Sequence, residues 1–268
     1  PNHSRPTIET LPMRLLFAAL LTGIVGFQSL RADDAPSNTS DETSQLQTQL
    51  QALRTRLDQE IADQPDNLQL YSQRGDVHFF LADFGKALAD YDKMVELKPE
   101  VLALHWRRGL AQYYVGQYEE SARQFERYFE QDKSDRENGI WRFYAQARQF
   151  GLEEARKRLL PYEQPDRAPL PAIYDLCAGK ITAAELEAQL TGDDLSPTEA
   201  AKREFYGHLY LGLDYAIKNQ PDQARPHLDK AVASDWAKTS GYGPNYMWQI
   251  ARLQRDLLPP AKKSDAKP

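Results

Sequence analysis

A spacing of 34 residues recurs along this chain and limits what it can fold into. Gly75 and Gly109 stand 34 residues apart, and so do the aromatic residues Phe84 and Tyr118, each nine residues after its glycine. A period of this length accommodates two helices and the turns that join them. One such helical pair cannot bury its apolar face alone, so consecutive pairs must stack on one another. The spacing therefore predicts an all-α chain stacked into a superhelical solenoid with a concave groove.

Four segments fit the 34-residue template. The best copies alternate small and large residues where antiparallel helices must interlock, as at Gly75, Ala87 and Tyr91. These positions resemble the consensus of the tetratricopeptide repeat (TPR), and chance spacing in an ordinary helical bundle is the alternative. The predicted boundaries are 44–258 for the solenoid, 68–101, 102–135, 136–169 (degenerate) and 205–238 for the repeats, and 44–63 and 244–258 for capping helices.

The repeat pattern breaks between the third and fourth copies. Four prolines fall between Pro161 and Pro171, which predicts a loop over residues 160–170. The motif Ser196-Pro197-Thr198-Glu199 then has a capping serine, a first-turn proline and a glutamate three residues after the cap. It predicts the start of a helix that runs into the fourth repeat.

An apolar stripe marks the helix before the first repeat. Its members recur at spacings of three and four residues and so share one helix face. They are Leu46, Leu50, Leu53, Leu57 and Ile61. This helix is the second half of a truncated repeat, a cap or the seam of a homodimer. A stripe of this size, if exposed, is typical of an interface, which favours a homodimer.

The first residues have the features of a secretory signal peptide. An apolar run at 15–27 follows Met13-Arg14, and Ala32 precedes two aspartates. The predicted segments are 1–32 for the signal peptide with an upstream extension, 33–43 for a linker and 259–268 for a disordered tail. The run is too short to span a bilayer well, so no stable membrane span is expected after cleavage. We expect a periplasmic or secreted protein, not acylated because no cysteine lies near the cleavage site; an uncleaved anchor is the alternative.

Charge and composition argue against several classes of partner and reaction. The chain has 33 Lys and Arg against 39 Asp and Glu, and removal of residues 1–32 brings the net charge to about −8. Such a charge disfavours nucleic acid and anionic membranes as partners. The sequence contains no phosphate-binding loop, HExxH or nucleophile-elbow motif, and His78, His105 and His208 fall where rings pack. We therefore expect no catalytic residue, metal site or cofactor, and a buried thiol at Cys177.

The groove predicted by the repeat template is apolar and aromatic. In tetratricopeptide folds, fixed positions on the first helix of each repeat face the concave side. Carried onto this chain, these positions predict a protein-binding groove of Phe79, Phe80, Trp106, Tyr113, Tyr114, Tyr206 and Leu209. Large rings dominate interface energetics, so the expected ligand is an extended or helical segment of another protein. The alternatives are a groove covered by another segment, such as the last helix, and a glycan stacked on the rings.

The order of these parts resembles the NlpI family of periplasmic tetratricopeptide lipoproteins. An export signal, a lone helix, two good repeats, a worn repeat, a short helical pair with AAELEAQL and a fourth repeat follow one another, with the resemblance covering 46–258. Members of that family are homodimeric adaptors that bring peptidoglycan hydrolases and a periplasmic protease together. The resemblance implies a non-enzymatic scaffold of the cell envelope with such partners, although this chain lacks the acylated cysteine. A peptidoglycan-binding protein or enzyme and a subunit of a secretion assembly are the alternatives.

Overall fold

Helices make up the regular secondary structure of this protein. The computed structural model describes residues 39–192 and 194–260. The α-helices in these ranges are α1 (Thr39–Asp63), α2 (Leu68–Phe80), α3 (Phe84–Leu97), α4 (Trp106–Tyr114), α5 (Tyr118–Gln131), α6 (Arg136–Phe150), α7 (Leu152–Lys157), α8 (Leu170–Ala178), α9 (Ala183–Ala188), α10 (Pro197–Ile217), α11 (Pro221–Val232), α12 (Asp235–Thr239) and α13 (Tyr242–Leu257). No β-strand occurs in either range, and the predicted all-α class is confirmed.

Three helical hairpins share one contact between a glycine and a large side chain. Helix α2 packs on α3, α4 on α5 and α10 on α11. The contact pairs, each 16 residues apart, are Gly75 with Tyr91, Gly109 with Phe125 and Gly212 with Leu228. A Cβ atom added to any of these glycines would lie 2.5 to 2.8 Å from the partner side chain. The glycines therefore set how closely the two helices of each hairpin approach.

The turn after the first helix of each of these hairpins has the same backbone conformation. Ala82, Gly116 and Asn219 lie in the left-handed region, with φ angles of 61°, 83° and 57°. Each follows its hairpin glycine by seven residues. Glycine enters this region at no steric cost and asparagine tolerates it, whereas alanine is strained there. The shared turn accounts for the choice of Gly116 and Asn219, and it is retained at Ala82 despite the strain.

Two of the helix starts with side-chain caps bear on the predicted boundaries. At the predicted start of α10, the Ser196 hydroxyl accepts a hydrogen bond from the Glu199 backbone N–H at 3.2 Å, which confirms that prediction. In the second repeat the first helix begins only at Trp106. A 3-10 helix occupies Pro99–Leu104, and the His105 ring accepts from the N–H of the third residue of α4 at 3.3 Å. The histidine cap therefore places the helix start after the predicted repeat boundary.

The third predicted repeat is short, and an irregular segment follows it. Helix α7 has six residues, and its small residue Ala155 is fully buried. Residues 158–169 contain no helix, in agreement with the predicted proline-rich loop. Helix α8 then buries Cys177, and this burial raises the pKa of its thiol. The expected buried thiol is confirmed.

The ends of the chain lie outside the part that the structure describes. The predicted signal peptide 1–32, the first residues of the predicted linker and residues 261–268 of the predicted tail are among them. Across 39–192 and 194–260, no helix is both long enough and apolar enough to cross a membrane.

Candidate functional site: an aromatic face and the helix that covers it

Helices α2 and α4 bring four of the predicted groove residues to one surface. Phe79 and Phe80 end α2, and Trp106 and Tyr114 lie at the two ends of α4. The rings of Phe79 and Tyr114 meet edge to face, with their centroids 5.5 Å apart. We call these four side chains the aromatic face. Phe80 and Tyr114 stand 34 residues apart and so hold equivalent positions in the two hairpins.

Tyr246 of α13 packs into the aromatic face. Its ring centroid lies 5.2 Å from that of Phe79, 5.0 Å from that of Phe80 and 4.8 Å from that of Trp106. Tyr246 and Phe79 are both fully buried. The rings predicted to line an open groove therefore face the last helix of the same chain, which is the covered arrangement given as an alternative above.

Helix α13 is amphipathic, and its apolar side faces the rest of the chain. It packs against α2, α11 and α12. Its buried residues recur at helical spacing and are Tyr246, Met247, Gln249, Ile250, Ala251 and Leu253. Asp256 and Leu257 at its end are exposed. This pattern is that of a helix bound in a groove by its apolar face.

A largely buried carboxylate joins α13 to three other helices. Asp76 on α2 accepts hydrogen bonds from the hydroxyls of Tyr91 on α3 and Tyr242 on α13, each at 2.7 Å. The Arg107 guanidinium on α4 donates to the same carboxylate at 2.7 Å. The hydroxyls of Tyr91 and Tyr246 are 3.1 Å apart. We call Asp76, Arg107, Tyr91, Tyr242 and Tyr246 the Asp76 network; it fixes α13 over the aromatic face.

The electrostatics of the Asp76 network favour one set of protonation states. Burial raises the pKa of Tyr91, Tyr242 and Tyr246 well above the ordinary value of a phenol, so all three remain neutral donors. Burial, the largest single effect, lowers the pKa of Arg107, but the attraction of Asp76 together with that of the three tyrosines outweighs it, and the pKa of Arg107 is raised. The network thus holds a largely buried ion pair whose anion accepts three hydrogen bonds.

A second polar contact holds the middle of α13. The Arg252 guanidinium donates a hydrogen bond to the Phe80 backbone carbonyl at 2.5 Å. This carbonyl belongs to the last turn of α2, where no further residue of the helix can donate to it. Gln254 accepts a hydrogen bond from the Tyr114 hydroxyl at 3.3 Å. Both ends of the aromatic face are therefore bonded to α13.

The other predicted groove residues lie in different surroundings. The Tyr113 ring packs against Trp141 of α6 with a centroid distance of 5.5 Å and is 8% exposed. Tyr206 on α10 has Trp236 of α12 as a ring neighbour at 6.1 Å, and Leu209 is fully buried. These three side chains belong to the interior between helices and contribute no open surface.

The apolar stripe of α1 is largely occupied within the chain. Helix α1 begins at Thr39, inside the predicted linker 33–43, and packs on α2. Leu57 is fully buried and Leu50 and Ile61 nearly so. Leu46 and Leu53 stay half-buried at the edge of the core. Most of the predicted dimer seam therefore serves as a cap on α2, and the homodimer stays a prediction.

The proline-rich segment 158–169 is held to α6 by a largely buried carboxylate. Glu137 accepts a hydrogen bond from the Tyr210 hydroxyl at 2.8 Å and pairs with Arg167 of the segment at 2.5 Å. Burial raises the pKa of Glu137 to about 7, although Arg167 opposes the shift. Asp135, whose pKa burial also raises, lies 3.4 Å from the same guanidinium.

The raised pKa of Glu137 predicts a pH-dependent stability. The folded state holds this proton more tightly than the unfolded chain does, so the contribution is fully present below about pH 4.5 and is lost as the pH rises through about 7. Glu137→Gln cannot ionise, and its unfolding free energy should rise relative to that of the native protein across this window. Urea unfolding at several pH values measures the difference. Glu163→Gln changes an exposed site of the same segment, and its unfolding free energy should depend on pH as that of the native protein does. If the unfolding free energy of Glu137→Gln showed the same pH dependence as that of the native protein, Glu137 would not be the group responsible.

Besides the Glu137–Arg167 pair, two polar clusters were not identified from the sequence. One is the Asp76 network, whose members lie on α2, α3, α4 and α13 and form no motif in the sequence. The other lies at α9, α10 and α11, where the Nδ1 atoms of His208 and His227 are 3.0 Å apart. A cleft of about 690 Å³ adjoins it, lined by Glu187, Leu190, Phe205, His208, Lys230 and Trp236 among others. His78 and His105, by contrast, are buried as predicted.

A comparison with models of known protein families gives no match for this chain.

Proposed function

We propose that this chain is a non-enzymatic, protein-binding scaffold of TPR type that is exported to the bacterial cell envelope. The binding surface is the aromatic face, and its ligand is an amphipathic helix. One observation carries the proposal: α13, a helix of that kind, already occupies the face through Tyr246, Tyr242 and Arg252. A surface that accepts one helix by ring packing and two polar anchors has the chemistry to accept another.

The repeated packing of the hairpins supports the TPR assignment. In three hairpins a glycine contacts a large side chain 16 residues later, and a left-handed turn follows seven residues after the same glycine. Both features follow the 34-residue period between the first two copies. Together they support a solenoid of repeated helical pairs over an ordinary bundle, in which such positions would not recur.

The envelope setting and the partners are proposed from features of the sequence. The predicted signal peptide at 1–32 supports export, and the order of the parts supports an NlpI-like adaptor for envelope proteins such as peptidoglycan hydrolases or a protease, with a homodimer as the expected assembly. Trp106 and Phe80 lie against Tyr246, so they are not presented as an open stacking surface for a glycan. This arrangement favours the protein-binding scaffold over the glycan-binding alternative.

Loosening α13 should expose the binding surface. In the double variant Tyr242→Phe, Arg252→Ala, the bonds from α13 to Asp76 and to the Phe80 carbonyl are lost. Two hydrogen bonds at about 1 kcal/mol each correspond to about thirtyfold in the population of the open state. We expect faster hydrogen exchange in α13, and about thirtyfold tighter binding of a labelled peptide with the sequence 242–257, measured by fluorescence anisotropy. An envelope protein retained by this variant should be displaced by the same peptide.

Arg255→Ala is the matched control, because the Arg255 guanidinium donates its hydrogen bonds to Asp256 of its own helix. Its hydrogen exchange in α13 and its affinity for the peptide should equal those of the native protein. If the double variant opens α13 by hydrogen exchange yet binds the peptide no better than the control, the aromatic face is not a helix-binding surface.

A further inference from the structure

Three side chains with metal-binding atoms converge where α9, α10 and α11 meet. Glu187 on α9, His208 on α10 and His227 on α11 each bring one ligand atom within 4.8 Å of the other two. In the part of the chain that the structure describes, no other group of His, Cys, Asp or Glu meets this geometry. Glu187 is exposed and both histidines are half-buried, so solvent reaches the group.

The donor types and their spacing fit a zinc-class ion. Two imidazoles and one carboxylate form a donor set that Zn²⁺ accepts with one position left open. Zn–N bonds of about 2.0–2.1 Å in a tetrahedron place two nitrogens about 3.3 Å apart. The His208 and His227 Nδ1 atoms are 3.0 Å apart, which is within a small rotation of that value. Hard ions such as Mg²⁺ prefer oxygen ligands in an octahedron and fit less well.

The contacts around the cluster require two rearrangements. The Glu187–Lys230 pair must open, and the hydrogen bond between the two Nδ1 atoms must give way, with both rings protonated at Nε2 instead of Nδ1. The Lys230 ammonium pairs with the Glu187 carboxylate at 3.4 Å, and both side chains are about half exposed. An exposed pair of this kind contributes little, so the carboxylate is free to turn toward the histidines. The two histidines also satisfy one another by a hydrogen bond. The ring of Tyr215 stacks on His227 at 5.5 Å and restrains its orientation.

We propose that Glu187, His208 and His227 bind a single divalent ion of the zinc class, with its open coordination position reachable from the adjoining cleft. Both Glu187 and His208 line that cleft. The site lies on α9 to α11 and includes no residue of the aromatic face, so it adds to the proposed scaffold function and does not depend on it.

Calorimetric titration of the untagged, metal-free protein with ZnCl₂ tests the site. We expect one saturable ion per chain and no comparable heat with MgCl₂. Loss of a residue that only hydrogen-bonds to a metal ligand typically lowers metal affinity by about 10–100-fold. Because His208 and His227 are proposed as ligands themselves, His208→Gln or His227→Gln should lower zinc affinity by at least about tenfold. Glu187→Gln should also weaken binding. Lys230→Ala should strengthen it, because it removes a positive charge and the competitor for Glu187.

The opposite effects of Glu187→Gln and Lys230→Ala separate a metal site from a structural histidine pair. His78→Gln, at a histidine near Asp83 and Asp90 but outside the cluster, is the control and should bind zinc as the native protein does. Circular dichroism melts identify any variant that fails to fold. Absence of saturable binding to the native protein, or unchanged affinity in the folded His208→Gln, His227→Gln double variant, would overturn the proposal.

Discussion

Asp76→Ala is expected to lower the free energy of unfolding by about 3–5 kcal/mol, the cost of leaving one member of a buried ion pair without its partner. The Arg107 side chain is 7% exposed and pairs with Asp76 at 2.7 Å. The variant also removes the acceptor of the Tyr91 and Tyr242 hydroxyls. Urea unfolding at neutral pH, followed by circular dichroism, gives the value. Asp76→Asn, which keeps an acceptor oxygen, should lose less.

Asp92→Ala is the matched control for this effect. Asp92 pairs with Arg108 at 2.6 Å, but its side chain is 51% exposed. Exposed ion pairs contribute about 1 kcal/mol or less, so the loss should be small. Equal losses in Asp76→Ala and Asp92→Ala would mean that the Asp76 network is solvated and does not hold α13.

Gly109→Leu is expected to destabilise the protein by about 2–3 kcal/mol, because it forces bulk into a close helix contact. A Cβ at this position already lies 2.8 Å from the Phe125 ring before the rest of the leucine is added. The ring is 1% exposed, so it cannot move away without disturbing the packing around it. A shift of the thermal midpoint and of the urea midpoint should both report the loss.

Gly85→Ala is the contrasting substitution. Gly85 lies in the first turn of α3, and nothing is found within 4 Å of a Cβ added there. Alanine in place of a helical glycine stabilises by about 0.5–1 kcal/mol through the backbone entropy of the unfolded chain. Suppose that Gly109→Leu melts at the same temperature as the native protein, while Gly85→Ala gains the expected stability. The contact between α4 and α5 would then not be close-packed.

The contacts within each hairpin could be predicted from the sequence. The contact of Gly75 with Tyr91 depends on residues 16 positions apart, and a repeated pattern reveals such local rules. The helix start at Ser196 depends on four consecutive residues and was predicted for the same reason. The start of α4 was missed, since a histidine is not a typical capping residue.

The placement of α13 could not be decided from the sequence. Its amphipathic pattern shows that it must pack on something, but the pattern does not say on which surface. The decisive bond joins Tyr242 to Asp76, which are 166 residues apart. The cluster of Glu187, His208 and His227 could not be predicted from the sequence for a related reason. Its members lie on three helices and form no motif in sequence.

If the aromatic face is the binding surface that we propose, a helix that covers it from within the same chain sets a threshold for every competitor. Its local concentration is fixed by the covalent connection, on the order of millimolar for a short flexible tether, and dilution does not lower it. A helix offered by another protein must compete with α13 for the face. Its apparent affinity equals its intrinsic affinity multiplied by the fraction of time that the face is open. Weak and abundant amphipathic helices are therefore rejected. Only a tight or multivalent ligand displaces α13, and the stability of the Asp76 network determines how tight it must be.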